Sequence, residues 1–209
     1  MKRGIYSALI TPFDENEEID DRALVWLLEW AIGKGLQGVF IVSSTGESWA
    51  LGFEEKKHLF RRAVEVAAKR MSVIAGVGAP STRDSIALTR AAEMVGVDAV
   101  CIVPPSFVRP TQKELIGHYE AIAEQTALPI LLYNIPMLAR NVLAPEAVLT
   151  LATRHSHVVG IKDSSGDLTL LNKLMFERGD GFSVFTGVDT LVLPHLMAGG
   201  QGAILGSAN

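Results

Sequence analysis

Lys162 closes the apolar run Val158-Val159-Gly160-Ile161 and is followed by Asp163-Ser164-Ser165-Gly166-Asp167. Read alone, it is a strand-end lysine whose aliphatic stem is covered and whose charge snorkels to water. Walled by apolar groups that disfavour its charged form, it is instead an amine able to add to a ketone and form an imine. Two further apolar runs end on polar groups. Val39-Phe40-Ile41-Val42 leads into Ser43-Ser44-Thr45-Gly46-Glu47, and Ile130-Leu131-Leu132 leads into Tyr133-Asn134-Ile135-Pro136. Taken singly, Tyr133 could fill a core with its hydroxyl tied to backbone, and Ser44 to Gly46 could be a polar turn or a helix N-cap. Together they offer hydroxyls and N–H groups for a carboxylate, a phenol for proton transfer and an amine for carbonyl attack. That set suits a 2-keto acid.

Such groups work only if strands hold them at one end of a sheet. Eight short apolar runs recur along the chain: 6–13, 38–44, 72–78, 99–105, 129–136, 158–165, 182–189 and 202–209. Charged, helix-patterned stretches separate them. Asp20-Asp21-Arg22 with Ala23, Leu24, Leu27, Leu28 and Ala31 reads as a capped amphipathic helix ended by Gly33 or Gly35. The helical pattern returns over 53–70, 82–95, 112–126, 145–154 and 168–178. Helical stretches alternating with eight strands point to a parallel α/β sheet, either a (β/α)8 barrel or an open doubly wound sheet. Both gather ligands at the carboxyl ends of the strands. Side chains alternate along a strand, so Lys162 is expected to share a face with Gly160 and Val158, with Gly160 leaving space beside it. Val159 and Ile161 then pack under the helices.

Composition excludes several classes. The chain has 209 residues, of which 48% are hydrophobic, which suits one sizeable domain with no linker dividing it. A formal charge of −4 gives no basic field for nucleic acid or an anionic membrane. Pro12 and Asp14 interrupt the amino terminus before a signal region develops, and no run approaches about 18 apolar residues. The expectation is a cytoplasmic protein acting on small molecules. The single Cys101 lies in an apolar run and reads as a small buried hydrophobe. Gly76-Val77-Gly78 lacks the lysine of a phosphate loop and the full dinucleotide fingerprint. Asp14 to Glu18 reads as a solvated acidic loop. His155 and His157 lack a third ligand at a strand end, so no metal is expected. His58, His118 and His195 fall on helical stretches.

Four segments carry a resemblance. Ser44-Thr45-Gly46-Glu47, Tyr133-Asn134-Ile135-Pro136, Gly160-Ile161-Lys162-Asp163 and Gly202-Ala203-Ile204, in this order and spacing, resemble the dihydrodipicolinate synthase and N-acetylneuraminate lyase superfamily of class I pyruvate-dependent aldolases. The likeness covers essentially the whole chain. It implies the barrel, a Schiff-base lysine at Lys162, a catalytic tyrosine at Tyr133 and carboxylate binding at Ser44 and Thr45. It also implies that the backbone near Ile204 lines the site. No separate cofactor is then expected, the imine through Lys162 serving as electron sink. A pyridoxal phosphate enzyme would also use a barrel lysine, but no phosphate cradle or pyridinium partner is evident.

The departures from that pattern bear on substrate. Synthases of the lysine pathway usually carry a second tyrosine after the fourth strand, reaching across a subunit contact, where this chain has Phe107. They also place an arginine shortly after the YNxP motif, where this chain has Met137-Leu138 and, two places on, Arg140. Sialic acid lyases place hydroxyl-binding groups after strands seven and eight, and the match there, at Gly187-Val188-Asp189-Thr190 and Leu205-Gly206-Ser207, is partial. The expected enzyme is an aldolase for a 2-keto-3-deoxy sugar acid or 4-hydroxy-2-keto acid. The alternatives are 4-hydroxy-tetrahydrodipicolinate synthase and a non-catalytic barrel. Expected catalytic groups are Lys162 and Tyr133, with Thr45 aiding the tyrosine. Substrate contacts are expected at Ser44, Thr45, Gly46, Gly187, Asp189 and Ile204. On the family pattern the chain reads as one barrel domain lacking the last helix and the helical extension, its longer form a dimer or tetramer.

Overall fold

The computed structural model describes residues 1–177, 179 and 181–209. Strands β1 (Gly4–Ala8), β2 (Gly38–Ile41), β3 (Ser72–Gly76), β4 (Ala99–Ile102), β5 (Ile130–Asn134), β6 (Val158–Asp163), β7 (Ser183–Thr186) and β8 (Gly202–Leu205) are all parallel. They pair in sequence order, and β8 returns to β1, so the sheet is a closed barrel rather than an open one. The period-two pattern explains why it closes around a packed centre. In β2, Phe40 faces an inner cluster with Tyr6, Ile74, Leu131 and Phe185, while Val39 and Ile41 face an outer cluster under the helices. Tyr6 and Phe185 meet edge to face at 5.5 Å between centroids. A parallel barrel buried on both faces needs apolar residues on both, which is why its strands read as unbroken apolar runs.

The helices are α1 (Asp21–Gly33), α2 (Phe53–Ala67), α3 (Thr82–Val95), α4 (Gln112–Ala123), α5 (Pro136–Ala139), α6 (Pro145–Arg154), α7 (Leu168–Glu177) and α8 (Val192–Met197). Asp20 caps α1 by accepting from the Ala23 N–H, and Leu24, Leu27, Leu28 and Ala31 form its buried stripe. Ser81 caps α3, and Thr111 with Glu114 forms a capping box on α4. Arg178, expected as the last residue of the α7 stretch, lies outside the described residues. Among those described, no helix is long and apolar enough to cross a membrane.

Every strand ends earlier than its apolar run. Residues such as Val42, Val77 and Val103 continue the run after the ladder has stopped, because they belong to loops that still face apolar neighbours. Composition records burial, not pairing.

The expected face of Val158 is corrected. It packs in the outer cluster with Ile161, three residues on, rather than sharing the inner face with Lys162. The cause is an irregularity in the β5–β6 ladder, where Ile130 pairs with Val158 but Leu131 pairs with Gly160. Val159 is the extra residue of a bulge, and simple alternation fails across it. Gly160 also has a different use from the one expected. A Cβ there would lie 2.3 Å from the Ser183 carbonyl, so its space admits the β7 backbone.

Candidate active site

Lys162 and Tyr133 are paired residues on adjacent strands, one rung from the carboxyl ends of β6 and β5. Both point inward and both are 3% exposed. Lys162 Nζ donates to Tyr133 Oη at 3.2 Å, and Tyr133 Oη lies 3.1 Å from Ser44 Oγ, so the phenol links the amine to the hydroxyl. Phe40, one layer down from the β2 end, places its ring centroid 4.9 Å from Lys162 Nζ and packs edge to face on Tyr133 at 5.9 Å. No acidic side chain forms an ion pair with Lys162 among the described residues. The amine is thus walled by rings and met by one phenol.

The turn after β2 carries the next groups. Val42 sits at φ 54°, a left-handed conformation that is strained for a β-branched residue, and it diverts the chain so that residues 43–47 curl across the barrel mouth. Inside this curl Gly46 donates to Ser43 Oγ, and its carbonyl accepts from Thr11 Oγ1 at 2.7 Å. The N–H groups of Ser44 and Thr45 have no protein acceptor among the described residues. The hydroxyl that meets Tyr133 is that of Ser44. Thr45, expected beside the phenol, instead lines the lysine cavity against Gly206. Gly46 lies buried behind the turn and supports it rather than lining the cavity.

The cavity around Lys162 has a volume of about 410 Å³ and is walled further by Ser164, Gly187, Asp189 and Ile204. Asp189 accepts from Ser207 Oγ at one carboxylate oxygen. A second cavity of about 290 Å³ adjoins it across Ser44, Tyr133, Ile135 and Leu138 and is lined mostly by apolar groups, Trp49, Val103 and Cys101 among them. Burial pushes the Cys101 thiol up to about 12, which keeps it protonated at neutral pH. Each volume falls within reach of a small metabolite, and together they are contiguous.

Expected residues on other surfaces are also accounted for. Phe107 is fully exposed, at φ 74°, and lines neither cavity. Met137 and Leu138 line the lysine cavity, whereas Arg140, the C-cap of α5, does not. His157 donates to the Ala123 carbonyl at 3.0 Å. His58 meets Asp21 at 2.9 Å.

Two buried polar residues behind the site were not singled out from sequence. Asn134 and Asp163 follow Tyr133 and Lys162, face the helix layer and are fully buried. Asn134 Nδ2 donates to Asp163 Oδ2 at 2.6 Å, and Asp163 Oδ1 accepts from the N–H and Oγ of Ser165 at 3.1 and 2.6 Å. Burial raises the Asp163 carboxyl above its ordinary range, against the opposing pull of these donors. The usable signal was the alternation itself, which puts the residues after the inward pair on the outer face.

Gly187 sets how closely the β7 loop approaches. A Cβ there would lie 2.0 Å from Ser164 Oγ and 2.9 Å from Lys162 Cε. Gly187→Ala must therefore displace Ser164 and crowd the lysine side chain. We expect kcat to fall roughly 10²-fold, the scale of an ångström-sized misplacement. Steady-state kinetics read beside a thermal melt checks this, and native turnover would show that the loop yields instead.

A buried amine hydrogen-bonded to a phenol, in the mouth of a closed eight-stranded parallel barrel, defines a lyase of the class I aldolase type. A model of the dihydrodipicolinate synthetase family matches residues 1–209, and the chain belongs to that family of pyruvate-dependent lyases. It is 41% identical to the 4-hydroxy-tetrahydrodipicolinate synthase of Bacillus subtilis over 96% of this chain and 69% of that one. Among solved structures, the 4-hydroxy-tetrahydrodipicolinate synthase of Methylacidiphilum fumariolicum SolV is 40% identical with a TM-score of 0.96, covering 100% of this chain and 69% of that one. The 2-keto 3-deoxygluconate aldolase from Picrophilus torridus is 29% identical with a TM-score of 0.95, covering 100% and 75%.

Proposed function

We propose that this chain cleaves, or in reverse forms, the C3–C4 bond of a 2-keto-3-deoxy sugar acid or related 4-hydroxy-2-keto acid, with pyruvate as one product. The observation that carries the reading is the continuous contact from Lys162 Nζ through Tyr133 Oη to Ser44 Oγ. Lys162 attacks the C2 carbonyl carbon, and loss of water gives a protonated imine. Tyr133 takes the proton from the C4 hydroxyl and exchanges it with Ser44. As the C3–C4 bond breaks, its electron pair moves into the imine, the aldehyde leaves, and an enamine remains. Protonation at C3 and hydrolysis release pyruvate and the free amine. No separate cofactor takes part.

The carboxylate is held by the N–H groups of Ser44 and Thr45 and by the Thr45 hydroxyl, all at the edge of the lysine cavity. Gly187, Asp189 and the Ile204 backbone bound the opposite side, where Asp189 can accept from substrate hydroxyls. Polar groups there favour a hydroxylated aldehyde portion. The Picrophilus torridus aldolase, named for a 2-keto-3-deoxy acid, agrees with this choice.

The name of the Bacillus subtilis relative favours a second reading, condensation of pyruvate with aspartate semialdehyde. That substrate brings a second carboxylate. The cavity meets it with Met137 and Leu138 rather than a cation, and Arg140 lies outside. Assay of pyruvate with a panel of aldehydes, and of 2-keto-3-deoxy acids for cleavage, discriminates the two. We expect kcat/KM for aspartate semialdehyde to stay well below about 10⁴ M⁻¹s⁻¹, an ordinary value for a physiological substrate. Reaching it would restore the synthase reading.

A further inference from the structure

The catalytic pair stands one rung from the end of its ladder. Beyond Asn134 and Asp163 both chains leave the sheet, and a terminal rung is where a ladder frays first. The register there is also not the one in which β5 and β6 begin. Continued without interruption from Ile130↔Val158, the pairing would set Tyr133 opposite Ile161 and Asn134 opposite Lys162. The bulge at Val159 shifts it by one residue, and a one-residue slip exchanges the faces of every side chain beyond it. Something must hold the shifted end in place.

The outer apolar residues Leu132 and Ile161 favour the shift in a general way. The terminal rung adds a specific clasp. Asn134 Nδ2 reaches Asp163 at 2.6 Å across the strands, and Asn134 Oδ1 accepts from the Leu143 N–H at 3.1 Å. The backbone closes on either side, Ser164 N–H donating to the Asn134 carbonyl and Gly187 N–H to the Asp163 carbonyl at 2.8 and 2.7 Å. The same two residues thus tie β5, β6, the turn after β6, the approach to α6 and the loop after β7. The Asn134 and Asp163 side chains themselves line neither cavity.

We infer that the buried Asn134–Asp163 hydrogen bond locks β5 and β6 in the shifted register that sets Tyr133 beside Lys162, making Asn134 and Asp163 positioning residues for the reaction. The inference rests on the imine mechanism proposed above. It requires that loss of the bond act on turnover more than on substrate binding, since the carboxylate groups of the β2 turn are independent of this rung. It also requires that an uncharged acceptor at position 163 restore part of the turnover.

The test compares kcat and KM for retro-aldol cleavage, with a thermal melt for each variant. For Asp163→Ala we expect kcat to fall about 10²-fold with KM changed less than about threefold. Asp163→Asn keeps one carbonyl oxygen to accept from Asn134 but turns its amide toward the Ser165 N–H, so it should recover part of the loss. Asn134→Ala should match Asp163→Ala, and the double alanine variant should be no slower than either alone, as a shared interaction demands. Leu88→Ala, at a buried position of α3, which packs on α2, α4 and β4, serves as a control for simple destabilisation and should keep native kcat. Asn134→Leu/Asp163→Leu removes the bond's donor and acceptor together and is read in place of an alanine variant that fails to fold, with the same fall in kcat expected. Turnover of Asp163→Ala within threefold of wild type, additive losses in the double variant, an Asp163→Asn as slow as Asp163→Ala, or an equally slow Leu88→Ala would each overturn the lock. Borohydride labelling with pyruvate separates this from the mechanism. Label on wild-type Lys162 with unimpaired Asp163→Ala overturns the lock alone, whereas an unlabelled wild type overturns both.

Discussion

Lys162→Ala is expected to abolish cleavage, by on the order of 10⁴-fold or more, because it removes the bond-forming atom rather than a contact to it. The same variant should take no label from pyruvate and borohydride, whereas the wild-type chain should gain one reduced pyruvyl group on Lys162. The expectation follows from the surroundings of the amine. Phe40 and Tyr133 enclose it, one phenol oxygen meets it, and no described carboxylate pairs with it. The chain's other lysines are more exposed and line neither cavity. Mass spectrometry after proteolysis locates the adduct. Label on another lysine, or retained turnover in Lys162→Ala, would remove the imine from the mechanism. Because truncation leaves a void between two rings, the melt of the variant is read alongside, and a folded but inactive protein is the expected result.

The legible part of this molecule was set by burial. Eight apolar runs became eight strands, and α3 and α6 span the helical stretches expected over 82–95 and 145–154, because an amphipathic stripe is a local signal. Closure was not local. Val39, Phe40 and Ile41 alternate identically in a barrel and in a doubly wound sheet, and only the pairing of β8 with β1 decides between them. The segment resemblance carried that decision. The bulge at Val159 was illegible for a related reason, since nothing in Val158-Val159-Gly160 distinguishes an extra residue from a paired one. Lys162 still faced inward as expected because both the expected alternation from Gly160 and the observed one run on the same side of the bulge. The Ser44 contact to Tyr133 lies in a turn whose left-handed start at Val42 is not encoded in residue spacing. Asn134 and Asp163 passed unremarked although both lay within quoted motifs. A polar residue directed under helices announces itself only when its partner on the next strand is known.

Tyr133→Phe is expected to keep the fold and most pyruvate binding while slowing turnover by about 10²-fold or more, the usual contribution of a positioned acid–base group. The ring itself does structural service. It packs on Phe40 and lies 4.2 Å from Lys162 Nζ, and phenylalanine preserves both contacts. Only the oxygen is lost, and with it the link between the amine and Ser44. If the phenol carries the C4 proton, the loss falls on kcat, since no other described hydroxyl stands within hydrogen-bond distance of Lys162 Nζ to replace it. Imine formation also moves protons as water leaves, so borohydride trapping of pyruvate should slow as well, though less than cleavage of the full substrate. Ser44→Ala offers the graded comparison. It retains the phenol and its contact to Lys162 but removes the acceptor beyond it, and a loss of about tenfold, smaller than that of Tyr133→Phe, is the expected order if the proton passes through the tyrosine to the serine. Equal losses in the two variants would make Ser44 an obligatory member of the relay. Native turnover in Tyr133→Phe would leave the hydroxyl a purely structural group and transfer the proton step to water in the cavity.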